Sequence, residues 1–351
     1  MADRFWVGGA GTWNNVNTAN WSDTSGGSGG FSAPTSSDDV FINASSGSGT
    51  CNRSNGAVCR NFNTSNSSVT ISNGGGTFNV FGNLVHSAGQ ALSLGTMTLS
   101  ATTTGKTITT NGATHASTIV FDGVGGEWTL ADNLTMSGGT VASLTVTNGS
   151  FVTGGFNISC TSFNSSNSNV RSISLGASTI TCNRASGNTP INFTTTTNLT
   201  FNAGTSTIVF NGQTAATSTF NFGSLTWYNF TLGGASSIGL NTVITGSNTF
   251  NTFTCSAARN LKFTAGTTNT AANWALSGSF TEILTITSVT SATHTLAKSG
   301  GGTVEASYCT ISYSIASPAA TFTALDSTNS GNNTNWSFST TGKPLFVGSM
   351  F

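Results

Sequence analysis

Ten carboxylates are all that this 351-residue chain could bring to acid–base chemistry: Asp3, Asp23, Asp38, Asp39, Asp122, Glu127, Asp132, Glu282, Glu305 and Asp326. A glycosidase or lyase needs two of them, or one with a Lys or Arg, converging on a groove. Past residue 48 only Asp122, Glu127 and Asp132 lie close in sequence. Asp122-Gly123 and Asp132-Asn133 read as turns, while Glu127 precedes a core-facing Trp128 and so points outward. The expectation is a solvated edge, without hydrolase or lyase activity. Asp38-Asp39, two acids before a strand, reads as a turn rather than a cation site.

The other reactive residue types fare no better. His86, His115 and His294 are far apart, and none has a partner at metal-ligand spacing. His294 shares a face with Leu296 and reads as a partly buried core residue. Thr104-Gly105-Lys106-Thr107 imitates the end of a phosphate-binding loop, but the position that must be the first glycine is Ser100. The following Ile108-Thr109-Thr110-Asn111-Gly112 is a strand and turn, where that loop needs a helix. Serine is too abundant to single out a Ser–His–Asp set. None of the six cysteines forms a Cys-X-X-Cys pair. Cys160, in phase with Phe156 and Ile158, and Cys182, in phase with Ile180, read as small core residues. Cys51 and Cys59 are the disulfide candidates. No catalytic residue, metal ligand or cofactor site emerges.

The elements that must carry these residues are β throughout. Charged residues make up 6% of the chain, ten Lys plus Arg against ten Asp plus Glu, where an ordinary domain has about 25%. The basic residues are scattered, so nothing marks a nucleic-acid or anionic-membrane partner. Yet 36% of residues are hydrophobic, with 24 Phe and 7 Trp, and a chain that buried nothing would lack them. Ile119 and Phe121, Leu144 and Val146, Leu199 and Phe201, and Ile208 and Phe210 each fall two apart, on one face of a strand. Turn pairs such as Asn148-Gly149 and Gly154-Gly155 separate them. Ser117-Thr118-Ile119-Val120-Phe121 returns as Ser206-Thr207-Ile208-Val209-Phe210. Such a degenerate repeat predicts a right-handed parallel β-helix, a β-solenoid, ahead of a string of sandwiches. Phe201 and Phe210 should be almost fully buried. No apolar run approaches the ~18 residues of a membrane helix, and Met1-Ala2-Asp3-Arg4 starts no signal peptide. The expectation is a protein made in the cytoplasm, without membrane insertion.

The two ends depart from the repeat. Residues 1–48 hold Trp6, Trp13 and Trp21 and the run Gly26-Gly27-Ser28-Gly29-Gly30, and read as a cap over the first coil of a body at 49–338. In the tail at 339–351, Leu345, Phe346, Val347, Met350 and Phe351 are candidate docking residues.

Three blocks carry a more specific likeness. Phe5-Trp6-Val7-Gly8-Gly9-Ala10-Gly11-Thr12-Trp13, then Asn20-Trp21-Ser22 and Pro34-Thr35-Ser36-Ser37-Asp38-Asp39-Val40, form an opening motif. Phe163-Asn164-Ser165-Ser166-Asn167-Ser168-Asn169 and Phe201-Asn202-Ala203-Gly204-Thr205 lie mid-chain. His294 to Gly300, Tyr308 to Ile311 and Gly331-Asn332-Asn333-Thr334-Asn335-Trp336-Ser337-Phe338 close it. In this order they resemble repetitive β-helical proteins of bacteriophage virions, which share motifs with bacterial surface adhesins. The resemblance implies a non-enzymatic structural protein of the virion, a surface-exposed tail fibre or spike. Its alternatives are a capsid decoration or head-fibre protein, a bacterial adhesin, and a carbohydrate-active β-helix enzyme. Expected partners are other virion proteins, further copies of the chain as in a trimer, and a host-surface glycan met by exposed Thr, Asn, Ser and Trp.

Overall fold

Short alternating segments rich in Thr, Ile and Phe, separated by Gly and Asn, cannot cover an apolar face alone and must stack on one another. The computed structural model describes residues 1–54, 56–88, 91–138, 142–183, 189–211, 217–233, 240–256 and 259–340. It is an all-β parallel solenoid of about 12 turns, with a single 3₁₀ turn, Ala44–Ser46, among the described residues. The chain divides at Val209/Phe210 into two compact units.

In the first unit an inward column runs Val40, Phe62, Leu84, Ile108, Leu130, each paired in parallel with the next. A second runs Phe78, Met97, Ile119, Leu144, Phe163, Ile191. All these side chains are buried, so the period-two reading of the sequence holds here residue by residue. At one corner of the coil the ladder is reinforced by side chains. Asn61 N–H donates to Asp39 Oδ1 (3.2 Å), Asn83 N–H to Asn61 Oδ1 (2.7 Å), and Thr107 N–H to Asn83 Oδ1 (2.9 Å). Asn157 and Thr179 repeat the pattern on Asn133 and Asn157, at 2.8 Å each. Each such amide satisfies a backbone donor that the turn would leave unpaired.

The second unit is built alike. Thr217–Asn221, Asn241–Thr245, Asn260–Phe263, Leu284–Ser288 and Cys309–Ile311 succeed one another in parallel. Its interior is an aromatic stack in which Phe222 touches Phe230 and Phe250, ring centres 4.8 and 5.3 Å away.

The opening segment is woven into the first coils. Asp3–Trp6 pairs in parallel with Asp39–Phe41 and antiparallel with Trp21–Ser22. Gly11–Trp13, Ser48–Arg53 and Ser68–Asn73 form a separate three-stranded parallel sheet. Gly9 is required where the two approach: at φ +71° its hydrogen stands where a Cβ would lie 2.2 Å from the Ser48 carbonyl oxygen.

Three expectations need correction. Phe156 is exposed, because Phe156 N–H closes a turn onto Thr153 and the strand begins at Ile158. Phe210 is fully buried but Phe201 is half-buried, in a strand, Leu199–Asn202, none of whose residues is buried. Cys51 and Cys59 are both free thiols on strands of different sheets.

Candidate functional site

The sequence offered three places where function could reside: the acids at 122–132, the tryptophan-rich opening and the closing tail. The structure puts the acids to structural use. Asp132 accepts the backbone N–H of Thr110 (2.8 Å) and of Asn111 (2.5 Å), tying its turn to the preceding coil. This corrects the expectation of a merely solvated edge. Asp122 Oδ1 accepts from Asn148 Nδ2 at 2.6 Å. Glu127 belongs to an outward column, Glu127, Ser150, Ser172, Thr200, whose other members are hydroxyls. Asp38 is buried, and although burial itself opposes ionisation, bonds from Thr35 and the Ala2 N–H hold its carboxyl below the usual range. Asp39 pairs with Arg60. Both acids of that turn therefore already have donors.

Trp6, Trp13 and Trp21 are fully buried and form one cluster. Trp21 meets Trp6 and Trp13 edge-on at 5.1 and 5.3 Å, and Trp13 reaches Phe62 and Phe78 in the coils at 5.7 and 5.0 Å. The cluster is core, closed to a ligand. Trp128, Trp227 and Trp274 are buried too, and Trp336 is half-buried. Glycan stacking on exposed tryptophan, expected from composition, is therefore corrected: period-two phasing turns these rings inward. Leu345, Phe346, Val347, Met350 and Phe351 lie outside the described residues.

What faces outward is a set of in-register hydroxyls and amides. Thr135, Ser159 and Thr181 stand above one another in the first unit, and Asn241, Asn260, Thr285, Thr310 and Thr328 in the second. Thr135, Ser159 and Thr181, with Asn133 and Asn157 beside them, line a shallow groove of about 210 Å³. A second cleft, of about 470 Å³, lies where Asn15, Pro34 and Thr35 of the opening segment overhang Val58, Asn79 and Phe81. Neither has an ionisable side chain in its lining. Such surfaces donate and accept hydrogen bonds but supply no group for proton transfer at neutral pH.

The ionisable groups that sequence reasoning passed over are inside. Arg171 is buried and spends its guanidinium on Ser165 Oγ and on the carbonyls of Ser165, Asn169, Thr195 and Thr197, at 2.7–2.9 Å. Arg53 bonds the Leu94 and Gly76 carbonyls and lies 5.5 Å over the Phe78 ring. Arg259 donates to the Gly233 carbonyl at 2.9 Å. The His86 and His115 rings lie 4.8 Å apart, tilted by 59°, with Thr64 Oγ1 3.0 Å from His86 Nδ1. Both ring nitrogens of His115 lack a partner. Burial, and then each other's proximity, push His86 well down; burial pushes His115 down to about 4, against the pull of Asp132. His294, also buried, is likewise pushed down to about 4. The signal was available. Arg53 is in phase with Cys51, Arg171 with Ile173, Arg259 with Leu261, and His115 with Ile119, and period two points each of them inward.

Among the described residues no group of three or more His, Cys, Asp or Glu could hold a metal ion, and no helix is long and apolar enough to cross a membrane. No family model matches the chain, and neither does any curated protein or solved structure.

Proposed function

We propose that this chain is a non-enzymatic structural protein of a bacteriophage virion, a surface-exposed fibre or spike component. The observation that carries this reading is the division of labour between inside and outside. Buried Arg171, Arg53 and Arg259 tie neighbouring coils together through backbone carbonyls, and the outer faces are dominated by columns of Thr, Ser and Asn with few charges among them. A solenoid so built is a spacer: its coils resist deformation through ladders and its surface attracts no ionic partner. The order of the opening, middle and closing blocks supports the virion assignment by its resemblance to β-helical virion proteins. Other virion chains, further copies of this one and a neutral host glycan are the partners such a surface suits.

The test is occupancy. Quantitative mass spectrometry of purified particles of the virus that encodes the chain should find it at a fixed stoichiometric copy number. Its presence in infected-cell lysate together with absence from purified particles overturns the proposal. Depolymerisation of a host polysaccharide by the purified chain, abolished by Glu127→Ala, overturns the non-enzymatic part.

A further inference from the structure

All six cysteines are buried and outside any disulfide, and the ladder registers set one pair apart. Cys51 stands opposite Gly11 and Ile71, Cys59 opposite Val80, Cys255 opposite Leu232 and Leu276, and Cys309 opposite Leu284. Cys160 stands opposite Cys182. Their Sγ atoms are 3.9 Å apart, and the two residues are 1% and 0% exposed. Parallel strand neighbours place Cα atoms about 4.8 Å apart, within the roughly 4.4–6.8 Å that a disulfide spans. To bond, the sulfurs must approach by about 2 Å more, a distance within reach of side-chain torsions.

We propose that Cys160 and Cys182 form a modification site, at which a peroxide converts the facing thiols into a disulfide that bolts one coil to the next. In the first step one thiol attacks hydrogen peroxide, takes one oxygen to become a sulfenic acid, and releases water. In the second, the facing thiol attacks the sulfenic sulfur, the S–S bond forms and a second water leaves. The pair loses two electrons, the peroxide gains them, and no further reactant is needed. A small uncharged oxidant suits a dry interior, and the resolving thiol is already in contact. The hydrogen bond to Cys160, together with burial, holds the Cys182 thiol protonated. Because the thiolate is the reactive form, the reaction is slow in the closed fold and quickens when a coil opens briefly. The register adds selectivity: Cys160 and Cys182 face each other directly, whereas Cys255 and Cys309, near enough to influence each other, each face a leucine on the neighbouring strand.

The folded chain, treated with hydrogen peroxide, quenched and then unfolded in iodoacetamide, can be weighed intact and mapped by peptide. The expected product is two hydrogens lighter, joins the peptides of Cys160 and Cys182, and reverts with dithiothreitol. It forms several-fold faster in sub-denaturing urea and raises Tm by a few degrees, as closure of a loop of about 20 residues should. Cys182→Ala should abolish the cross-link and leave Cys160 trappable by dimedone. If that variant does not fold, the peptide map of the unaltered chain decides alone. Full alkylation of both thiols after peroxide, or a cross-link through any other cysteine, overturns the proposal.

Discussion

At the scale of single residues, the buried histidines make stability depend on pH in a defined direction. In the unfolded chain an imidazole takes up a proton near pH 6.5, whereas in the fold His115 does so only at about 4, because burial disfavours the charge. The unfolded state therefore binds more protons between those values, and stability falls as pH falls. Full stability is expected above about pH 7, with a progressive loss below 6.5, to which His115 contributes down to about 4. His115 alone accounts for roughly 3 kcal/mol across that window. Thermal melts at pH 7.5 and 5 check this, and His115→Phe should flatten the slope. A Tm unchanged between the two would contradict it. The tryptophans separate by the fate of their indole N–H. Trp6 Nε1 donates to the Gly9 carbonyl at 2.8 Å, while Trp13 and Trp21 Nε1 have no partner. Trp13→Phe should thus be milder than Trp6→Phe, which orphans a buried acceptor at about 1–3 kcal/mol. Trp13→Ala should cost ~3–5 kcal/mol. Urea melts of the three variants would rank them.

At the scale of an element, the strongest device is Arg171, which joins the loop at 165–169 to the one at 194–198 through five hydrogen bonds. Arg171→Met keeps the bulk and removes the donors. A loss of several kcal/mol is expected, with hydrogen exchange quickened in those two loops before the strands around them. Uniform protection there would rule the role out. The strands themselves were legible in the sequence, since Ile119, Phe121, Leu144 and Phe163 alternate as a strand should and are all buried. The acids were half legible. Turn chemistry placed Asp132 correctly, but its two bonds to the preceding coil depend on which turn stacks on which, and one chain's local pattern does not carry that. Phe156 was misread because period two was extended back from Ile158 to a residue that still closes the Gly154-Gly155 turn. The inward arginines were readable by parity and were passed over because charge usually lies at the surface.

For the molecule as a whole, electrostatics is nearly absent as a source of stability. The net charge is zero, and the Arg60–Asp39 salt bridge is partly exposed, a kind worth about 0–1 kcal/mol. Tm should accordingly move by less than ~2 °C between low and moderate sodium chloride, since screening has little to act on. A large salt shift would show that charges outside the described ladders matter. The Asn corner ladder has a different consequence. Asp39, Asn61 and Asn83 are separated by 22 residues each, and Asn133 and Asn157 by 24. Each rung accepts a donor of the same kind from the next, so a rung is interchangeable with its neighbour. A gene that duplicates or deletes one such stretch changes the protein by a whole storey, ~4.8 Å tall, and leaves every remaining floor aligned. Reach is then a quantity selection can adjust in steps, without inventing a new interior each time.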